Sequence, residues 1–302
     1  MNNRYTPIPG RPAPATRRLA GLFRRDRDGL SPVHRLAIYL VLGTFSLVYL
    51  VPLAVTVFAS FKTMPEIGRD FPLRPPIPLH LQNYLAVFQR GDLPRGLLNS
   101  LLLVVVSVLL NTLLTSSLAY CLSRFEFRLK RFYFALLVGG MLLPAVVTEV
   151  ARFGVIRALG AYNTMAAPVL IYAATDMMQV YIYLQFMEQI PRALDESARI
   201  DGASYLGVYF RIIFPLTLPA TATLAIIKTI DIMNDMFIPF LYMPSPRLHT
   251  LTTALIYISG DRENLWSLTS AAVVLVMLPT FVLYLALNKL VFNGIVAGAV
   301  KE

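Results

Sequence analysis

The sequence predicts an all-α membrane protein with six transmembrane helices, because it combines a high apolar content, few charges and six long hydrophobic segments. Of the 302 residues, 56% are hydrophobic and 15% are charged, and the mean hydropathy is +0.61. A soluble domain carries about 25% charged residues, so this chain lacks the polar side chains needed to cover a water-facing surface. Each span must be helical, because lipid offers no hydrogen-bond partner to an open backbone.

The six predicted spans lie between a basic N-terminal stretch and a short C-terminal segment. Residues 1–35 are too long and polar for a cleavable signal peptide, and no short apolar core with a small-residue cleavage site follows them. We interpret them as a disordered cytoplasmic tail, and residues 292–302 as a cytoplasmic C-terminal tail. A span needs about 20 apolar residues. The predicted spans are residues 36–58, 97–120, 132–155, 166–186, 218–242 and 268–291.

The basic residues predict the orientation of the chain. The net charge is +10, and Lys and Arg concentrate in the first 35 residues, in the loop 123–131, in the loop after span four and at the C-terminal end. With six spans these regions lie on one side, so the positive-inside rule places both termini in the cytoplasm. The loop 60–96 fits less well, because it holds five basic residues against three acidic ones. This placement favours an anionic membrane surface, and not nucleic acid, as the partner of the charges.

Few residues offer catalytic or metal-binding chemistry. Cys121 is the one cysteine, which excludes an intrachain disulfide, and its hydrophobic surroundings predict a small buried hydrophobe. The histidines, His34, His80 and His249, are too dispersed for a zinc motif. No Gly-x-x-x-x-Gly-Lys phosphate loop occurs, so the chain is not its own ATP motor. No Ser-His-Asp arrangement indicates an enzyme.

The loop between spans four and five, residues 188–217, is far less apolar than its flanks, and we call it the two-helix loop. Pro191 suits the first turn of an amphipathic helix, and Gly202 permits a bend or a helix C-cap. A second short helix over residues 203–213 is expected to end before Pro215. Two short helices at an angle form a protrusion that fits the groove of a partner protein.

This loop resembles the EAA loop in the permease subunits of bacterial ABC importers. The family pattern is Glu-Ala-Ala, three residues, Gly, nine residues, Ile, one residue and then Leu-Pro. Two positions depart from it, Ser for the first Ala and Phe for Leu, and neither removes the Gly bend or the leading acid. The matching residues are Glu196-Ser197-Ala198, Gly202, Ile212 and Phe214-Pro215.

The resemblance extends from residue 36 to the end of the chain. Residues 199–204 and 292–302 are similar to the carbohydrate-uptake subgroup, the latter to the ending of the maltose-type second permease. The resemblance implies the MetI-like fold of type I ABC importer permeases. It also implies a sugar importer subunit that forms half of the translocation pathway, with a di- or oligosaccharide as substrate. Glycerol-3-phosphate is the alternative substrate, because similar permeases serve it.

The resemblance also implies a mechanical role for the two-helix loop, which in the family docks into a cleft of a separate ATPase subunit. Glu196 would pair with a basic ATPase residue, Gly202 would set the angle between the helices, and small side chains would allow close approach. The C-terminal tail would either reach between the ATPase subunits or be a frayed end. The expected coupling residues are Glu196, Ser197, Ala198, Gly202, Ala203, Ile212 and Pro215.

The expected partners follow from the same family. They are a second transmembrane permease subunit, a dimer of ATP-binding cassette ATPase subunits, an extracellular or periplasmic substrate-binding protein, the carbohydrate and membrane lipid. ATP and Mg would bind to the ATPase, so this chain is expected to bind no cofactor and no metal and to be a non-catalytic transport subunit of a prokaryotic plasma membrane. The external loop 243–266 would meet the binding protein, and Trp266 is interpreted as an interfacial anchor.

Ionisable side chains at membrane depth are costly and face protein or water. Lys228, Asp231 and Asp235 stand at i, i+3 and i+7, which predicts one shared helix face. We favour a Lys228–Asp231 pair inside the bundle. For Asn234 and Asp235 two interpretations stay open, a pathway lining and a contact with the partner permease. The candidate pathway residues are Asp231, Asn234, Asp235, Asp176 and Gln179.

Two other classes of function compete with an importer subunit. A proton- or sodium-coupled carrier usually contains two internal repeats and more spans, whereas six spans without an evident repeat indicate half of a heterodimer. A membrane-anchored assembly subunit with no pathway would tolerate a bulky residue in place of Gly202.

Overall fold

A computed structural model describes residues 32–259 and 266–299, and within these ranges the regular structure is entirely helical. The fourteen α-helices vary widely in length, and three of them dominate the fold. In chain order they are α1 (Pro32–Ser60), α2 (Met64–Arg69), α3 (Gln82–Arg90), α4 (Leu93–Arg124), α5 (Lys130–Leu142), α6 (Ala145–Ala158), α7 (Ala166–Ala173), α8 (Met177–Glu188), α9 (Arg192–Ile200), α10 (Tyr205–Leu216), α11 (Leu218–Asn234), α12 (Phe237–Tyr242), α13 (Leu251–Ser259) and α14 (Trp266–Ala299).

Three helices of the described chain are long and apolar enough to cross a membrane by themselves, namely α1, α4 and α14. Two further helix pairs pass the same criterion together, α5 with α6 and α10 with α11, although they bend by 114° and 75°. The described chain therefore has up to five candidate spans of this kind, against the six continuous spans predicted. Helix α1 packs along α14, and most of its remaining surface is exposed apolar side chains, as expected of a helix facing lipid.

The predicted third span, residues 132–155, is wrong as one continuous helix. Helix α5 ends at Leu142 and α6 begins at Ala145, with Leu143 in an extended conformation. Pro144 explains the break, because proline donates no backbone N–H and disfavours the helical conformation in the residue before it.

Spans four and five are also interrupted, so the continuous helices predicted over residues 166–186 and 218–242 are wrong as well. The break between α7 and α8 ends at Asp176, whose Oδ1 accepts the backbone N–H of Gln179 at 2.9 Å. The break between α11 and α12 contains Asp235, whose Oδ1 accepts the N–H groups of Phe237 and Ile238 at 2.7 and 3.2 Å. Aspartate side chains offer the backbone an alternative to the helical ladder, and here each one caps the helix that follows it.

Two hydrophobic clusters hold the helices together. The first surrounds Leu103 and joins α4 with α7, α12, α13 and α14. The second, which we call the Tyr209 cluster, joins the C-terminal half of α4 with α8, α10 and the start of α11. Between the two clusters α4 presents the small buried side chains of Ser107, Asn111 and Thr115, spaced by four residues. Small residues of this kind let membrane helices approach closely.

Three further features concern the sequence predictions. Helix α14 continues to Ala299, so the segment predicted as a tail from residue 292 is helical over 292–299. Cys121 is exposed and not buried, because its neighbours Tyr120 and Leu122 take the positions that face the core. Trp266 is exposed at the first turn of α14. Residues 1–31, most of the predicted N-terminal tail, lie outside the described residues, as do 260–265 and 300–302.

The connection between α12 and α13 is tied to α4 by side-chain hydrogen bonds. Asn99 Nδ2 donates to the carbonyls of Arg247 and His249 at 3.0 and 2.9 Å, and Ser100 Oγ accepts the N–H of Leu251 at 3.0 Å. Asn99 is 8% exposed, so water is a poor substitute for these bonds.

We expect Asn99→Leu, a substitution of similar volume, to destabilise the protein by about 1–3 kcal/mol because the carbonyls of Arg247 and His249 lose their donor. The measurement is the thermal unfolding of the detergent-purified protein. Asn234→Leu is the control, since the Asn234 amide is exposed and bonds only the Ile230 carbonyl of its own helix. Equal unfolding temperatures for the two variants would contradict this assignment.

Candidate functional site

The two-helix loop is a bent pair of helices, α9 and α10, joined at Gly202. Gly202 has φ +84°, and a Cβ built there would meet no atom within 4 Å. The need for glycine is therefore conformational and not steric, because left-handed backbone costs other residues roughly 1–2 kcal/mol. The N–H groups of Gly202 and Ala203 close the end of α9 by bonding the carbonyls of Arg199 and Ala198 at 3.1 and 2.9 Å, a common helix-ending pattern.

Helix α10 differs from the predicted second helix in both of its ends. It begins at Tyr205, after Ser204 Oγ accepts the N–H of Gly207 at 3.1 Å, and it continues past Pro215 to Leu216. The helix tolerates Pro215 because a wide π-helical turn lies directly before it at Tyr209–Ile213, and such turns relieve local strain in a helix. A 75° bend then leads into α11.

The motif residues divide into an outward and an inward set. Glu196, Ser197 and Gly202 are exposed, and Glu196 forms no ion pair with any residue in the described ranges. Ala198 and Ala203 are half-buried against the Tyr209 cluster. Of the remaining motif residues, Ile212 is half-buried in the same cluster and Pro215 is exposed. The loop thus presents a free carboxylate outward while its small residues seat it on the spans.

A buried ion pair anchors the loop to the end of α4. Arg124 Nη2 lies 3.2 Å from Asp195 Oδ2 and donates to the carbonyl of Ile190 at 2.9 Å. The two side chains are only 7% and 17% exposed. Next to them, Arg192 Nη2 donates to the Ser123 carbonyl at 3.3 Å. The sequence analysis missed this contact, although Asp195 and Ala198 at i, i+3 could have indicated an inward-facing side of α9.

A second set of contacts stiffens the bend itself. The Arg199 guanidinium lies 4.0 Å above the ring of Tyr205 and donates to the carbonyl of Ala203 at 2.9 Å. A cation over an aromatic face is attracted by the ring quadrupole, so Arg199 connects α9 to α10 across Gly202. The Tyr205 ring in turn meets Phe125 edge-on, with centroids 5.1 Å apart. These contacts join the two helices to each other and to the end of α4.

Tyr209 connects the loop to the interior of the bundle. Its hydroxyl lies 2.6 Å from Ser116 Oγ on α4, and its ring lies 5.2 Å from that of Tyr120. Tyr209 is 2% exposed. The polar tip of a buried tyrosine needs a partner, and Ser116 supplies it.

Asp235 and Asp176 have structural partners at the two helix breaks. Asp235 Oδ2 accepts the hydroxyl of Tyr172 at 2.8 Å while Oδ1 caps α12, so both oxygens are engaged. Asp176 caps α8, and the Asn111 side chain donates to the carbonyl of Ala174 in the same break at 3.0 Å. Gln179 is buried, and its Oε1 has no hydrogen-bond partner in the described part of the chain.

The other polar residues of span five are arranged differently from the prediction. Within the described ranges no ion pair joins Lys228 to Asp231, which is exposed. Asn234 is also exposed and is the last residue of α11, and the N–H of Asp235 still bonds the carbonyl of Asp231 at 3.0 Å. Asp235 has φ −71° and follows α11 directly, so it keeps the predicted helix face while its side chain caps α12. The side chains of Asp231 and Asn234 are thus exposed polar groups.

A buried network that the sequence analysis did not assemble joins α6 to α12. Glu149 is 7% exposed, its Oε2 lies 2.7 Å from Arg152 Nη1, and its Oε1 accepts the hydroxyl of Tyr242 at 2.6 Å. Burying a carboxylate is costly unless it is paired and hydrogen-bonded, and both conditions are met. The network stabilises the packing of the second half of the bent α5–α6 pair.

We expect Asp195→Ala to loosen α9, because it leaves the buried Arg124 guanidinium without its carboxylate. Removing one partner of a buried pair costs about 3–5 kcal/mol, and the partial exposure of Asp195 reduces this cost. Hydrogen–deuterium exchange over residues 192–200 should accelerate by at least about tenfold, which corresponds to 1.4 kcal/mol. Glu196→Ala, at the exposed neighbouring position, should leave exchange unchanged, and similar acceleration in both variants would contradict the anchor.

Comparison with known proteins identifies the family. Residues 111–295 match the family model described as binding-protein-dependent transport system inner membrane component. The melibiose/raffinose/stachyose import permease protein MelC of Bacillus subtilis is 35% identical, over 75% of this chain and 83% of MelC. The probable starch degradation products transport system permease protein AmyC of Thermoanaerobacterium thermosulfurigenes is 30% identical, over 85% of this chain and 93% of AmyC.

Two solved structures share the fold. A bacterial ABC transporter involved in the import of the acidic polysaccharide alginate has a TM-score of 0.77 at 19% identity, covering 87% of this chain and 98% of the other. A bacterial alginate ABC transporter in complex with alginate pentasaccharide-bound periplasmic protein has a TM-score of 0.60 at 18% identity, covering 85% and 92%. The expected MetI-like fold is thereby confirmed. Since the family match includes more than half of the chain and the whole two-helix loop, the chain belongs to the inner membrane components of binding-protein-dependent transport systems.

Proposed function

We propose that this chain is the permease subunit of an ATP-driven sugar importer, that it forms half of the translocation pathway, and that the two-helix loop couples it to a separate ATPase. The observation that carries the proposal is the rigid attachment of α9 and α10 to α4 through the Arg124–Asp195 pair. A force applied to the exposed side of α9 reaches the transmembrane helices through this contact. The exposed Glu196 supplies a charge for a basic residue of the ATPase.

The proposed topology keeps six spans and two cytoplasmic termini. Helices α1, α4 and α14 each form one span, and the pairs α5–α6, α7–α8 and α11–α12 form three interrupted ones. Breaks at membrane depth are tolerated where the backbone is buried in protein or lines a water-filled cavity. The capped breaks at Asp176 and Asp235 meet this requirement, because side chains satisfy the freed backbone groups.

The names of the relatives support a sugar as the substrate. MelC and AmyC are named for oligosaccharide import and for starch degradation products, which favours a di- or oligosaccharide over glycerol-3-phosphate. An ion-coupled carrier is not favoured, because the family operates with binding proteins. We further propose that Asp231 and Asn234 offer acceptors to sugar hydroxyls, whereas Asp176, Gln179 and Asp235 shape the pathway by holding its broken helices.

The proposed assembly contains a second permease subunit, a dimer of ATP-binding cassette ATPases that hold ATP and Mg, and a substrate-binding protein. One solved relative was captured with a substrate-loaded periplasmic protein, which supports the last of these partners. This chain would bind no cofactor of its own and would act as a non-catalytic transport subunit.

Glu196→Gln should uncouple the transporter because it removes the outward charge of α9 without disturbing the Arg124–Asp195 anchor. In proteoliposomes containing the complete transporter, stimulation of ATP hydrolysis by the sugar-loaded binding protein should fall by at least about tenfold, as loss of a charged hydrogen bond implies. Asp92→Asn is the control, since Asp92 is an exposed carboxylate outside the two-helix loop.

Cross-linking gives a direct test of the same contact. In a Cys121→Ser background, Ala193→Cys and Ser197→Cys, both at exposed positions of α9, should capture the ATPase subunit by cross-linking. Failure to capture it in any nucleotide state, together with normal stimulation of Glu196→Gln, would contradict the coupling role.

Asp231→Asn and Asn234→Ala should weaken sugar transport without changing the fold, because both side chains are exposed in the chain and stabilise no other element. We expect the KM for transport to rise by roughly tenfold, the loss of one or two hydrogen bonds. Thr44→Ala is the control, because Thr44 is exposed on α1 and bonds only the carbonyl of Leu40 in its own helix. Unchanged transport in both pathway variants would reassign these residues to the partner interface.

A further inference from the structure

A large cavity lies beside the base of the two-helix loop, between α5, α8 and the α4–α5 connection. Its volume is about 1210 Å3, above the roughly 300–1,000 Å3 typical of small-molecule sites. The proposed coupling and translocation roles do not use it. Its two ends differ in chemistry, one being basic and the other apolar.

The basic end carries more positive charge than its neighbours neutralise. Five basic and two acidic side chains line the cavity. Lys130 donates to Glu126 at 2.7 Å, which holds the pKa of that carboxyl below its usual value, and Arg124 pairs with Asp195. The remaining cations are Arg128, Arg131 and Arg192, and none of them has a carboxylate within ion-pair distance in the described ranges.

Glu188 is the second acid of the lining, and it too forms no ion pair with a described residue. This end of the cavity keeps an excess of positive charge, because its three unpaired cations outnumber its one unpaired carboxylate. An anion is therefore the complementary ligand.

The apolar end is a stripe along α5. Phe134, Val138 and Leu142 follow one another at intervals of four residues and so share a helix face, and they are 42%, 39% and 79% exposed. Ala135 and Gly139 lie beside them in the lining and leave room for a chain to lie against the helix.

The stripe from residue 134 to 142 is about 12 Å long, close to the roughly 15 Å thickness of one hydrocarbon leaflet. A ligand with an anionic head and a long apolar tail would match both ends of the cavity. A small free anion would leave the apolar wall uncovered.

We propose that this cavity binds one anionic glycerophospholipid, with its phosphate at Arg128, Arg131 and Arg192 and an acyl chain along the α5 stripe. The N-terminal segment of the same chain is a poor occupant, because residues 1–31 contain seven arginines and two aspartates and would be repelled by the basic end. Placement in the cytoplasmic leaflet rests on the proposed topology. Lipid binding itself does not depend on the proposed topology or on coupling to the ATPase. A failure of lipid binding can therefore be observed separately from a failure of coupling.

The test measures retention of phosphatidylglycerol and phosphatidylcholine by the complete purified transporter, using native mass spectrometry after titration with each lipid. Arg128→Gln/Arg131→Gln should reduce retention of phosphatidylglycerol by roughly twentyfold, since each basic residue near an anionic lipid contributes a factor of about five. Retention of phosphatidylcholine should not change. The control is Arg69→Gln/Arg157→Gln, which removes two exposed charges elsewhere.

A neighbouring pair of glycines tests the acyl half of the site. Gly139→Leu would project into the cavity, whereas Gly140 is outside the lining, and a Cβ at either position meets no atom within 4 Å. We expect Gly139→Leu to reduce retention of phosphatidylglycerol and Gly140→Leu to preserve it.

Three results would overturn the proposal. The first is full retention of phosphatidylglycerol by the double arginine variant. The second is equal retention by both glycine variants together with displacement of the lipid by inorganic phosphate, which would indicate a site for a headgroup-sized anion. The third is cross-linking of a cysteine at position 139 to the second permease subunit, which would show that protein covers this face.

Discussion

The structure depends on one constraint, that backbone groups at membrane depth must find hydrogen-bond partners within the protein. Two of the interrupted spans, four and five, meet it with local side chains and turns. Asp176 and Asp235 cap the helices after their breaks, and Asn111 of α4 donates to the carbonyl of Ala174 in the first break. At the start of span five, the π-helical turn allows the chain to continue through Pro215. Each of these interruptions is therefore an ordered bend. It lets the two half-helices take different directions, which an unbroken span would not allow.

The same constraint decides how much the sequence could predict. Apolar runs predicted the long helices α1, α4 and α14, and Pro191 and Gly202 marked the start and the bend of the two-helix loop, because these signals act over a few neighbouring residues. The breaks were missed although Pro144, Asp176 and Asp235 mark them locally, because the apolar runs around them were interpreted as unbroken helices. A contact between distant residues, the Tyr172 hydroxyl on Asp235, adds to the last of these signals. Hydrophobicity alone does not distinguish a continuous span from two half-helices with a capped gap. The Arg124–Asp195 pair was missed because 70 residues separate its members, although the i, i+3 spacing of Asp195 and Ala198 marks an inward-facing side of α9.

Helix α4 links the parts that the proposed function must move together. Its C-terminal end holds α9 through Arg124, its next turns contact α10 through Tyr120 and through Ser116, and its middle holds the break in span four through Asn111. A helix of 32 residues transmits a rigid-body displacement along its length. The two-helix loop and the break in span four are thus attached to the same helix. This gives a physical route by which movement of the loop would displace the broken helices.

The basic residues that predict the orientation serve different physical roles in the fold. Arg124 pairs with Asp195 and donates to the carbonyl of Ile190, so it holds the two-helix loop in place. Arg128 and Arg131 have no carboxylate partner in the described chain. They lie in the α4–α5 connection and in the first turn of α5, directly before the apolar part of that helix. A count of positive charges treats these residues as equivalent, but only unpaired ones are free to attract a lipid phosphate. The concentration of charge at this end of α4 and α5 therefore reflects two requirements, a buried anchor for the coupling loop and an open surface for an anionic headgroup.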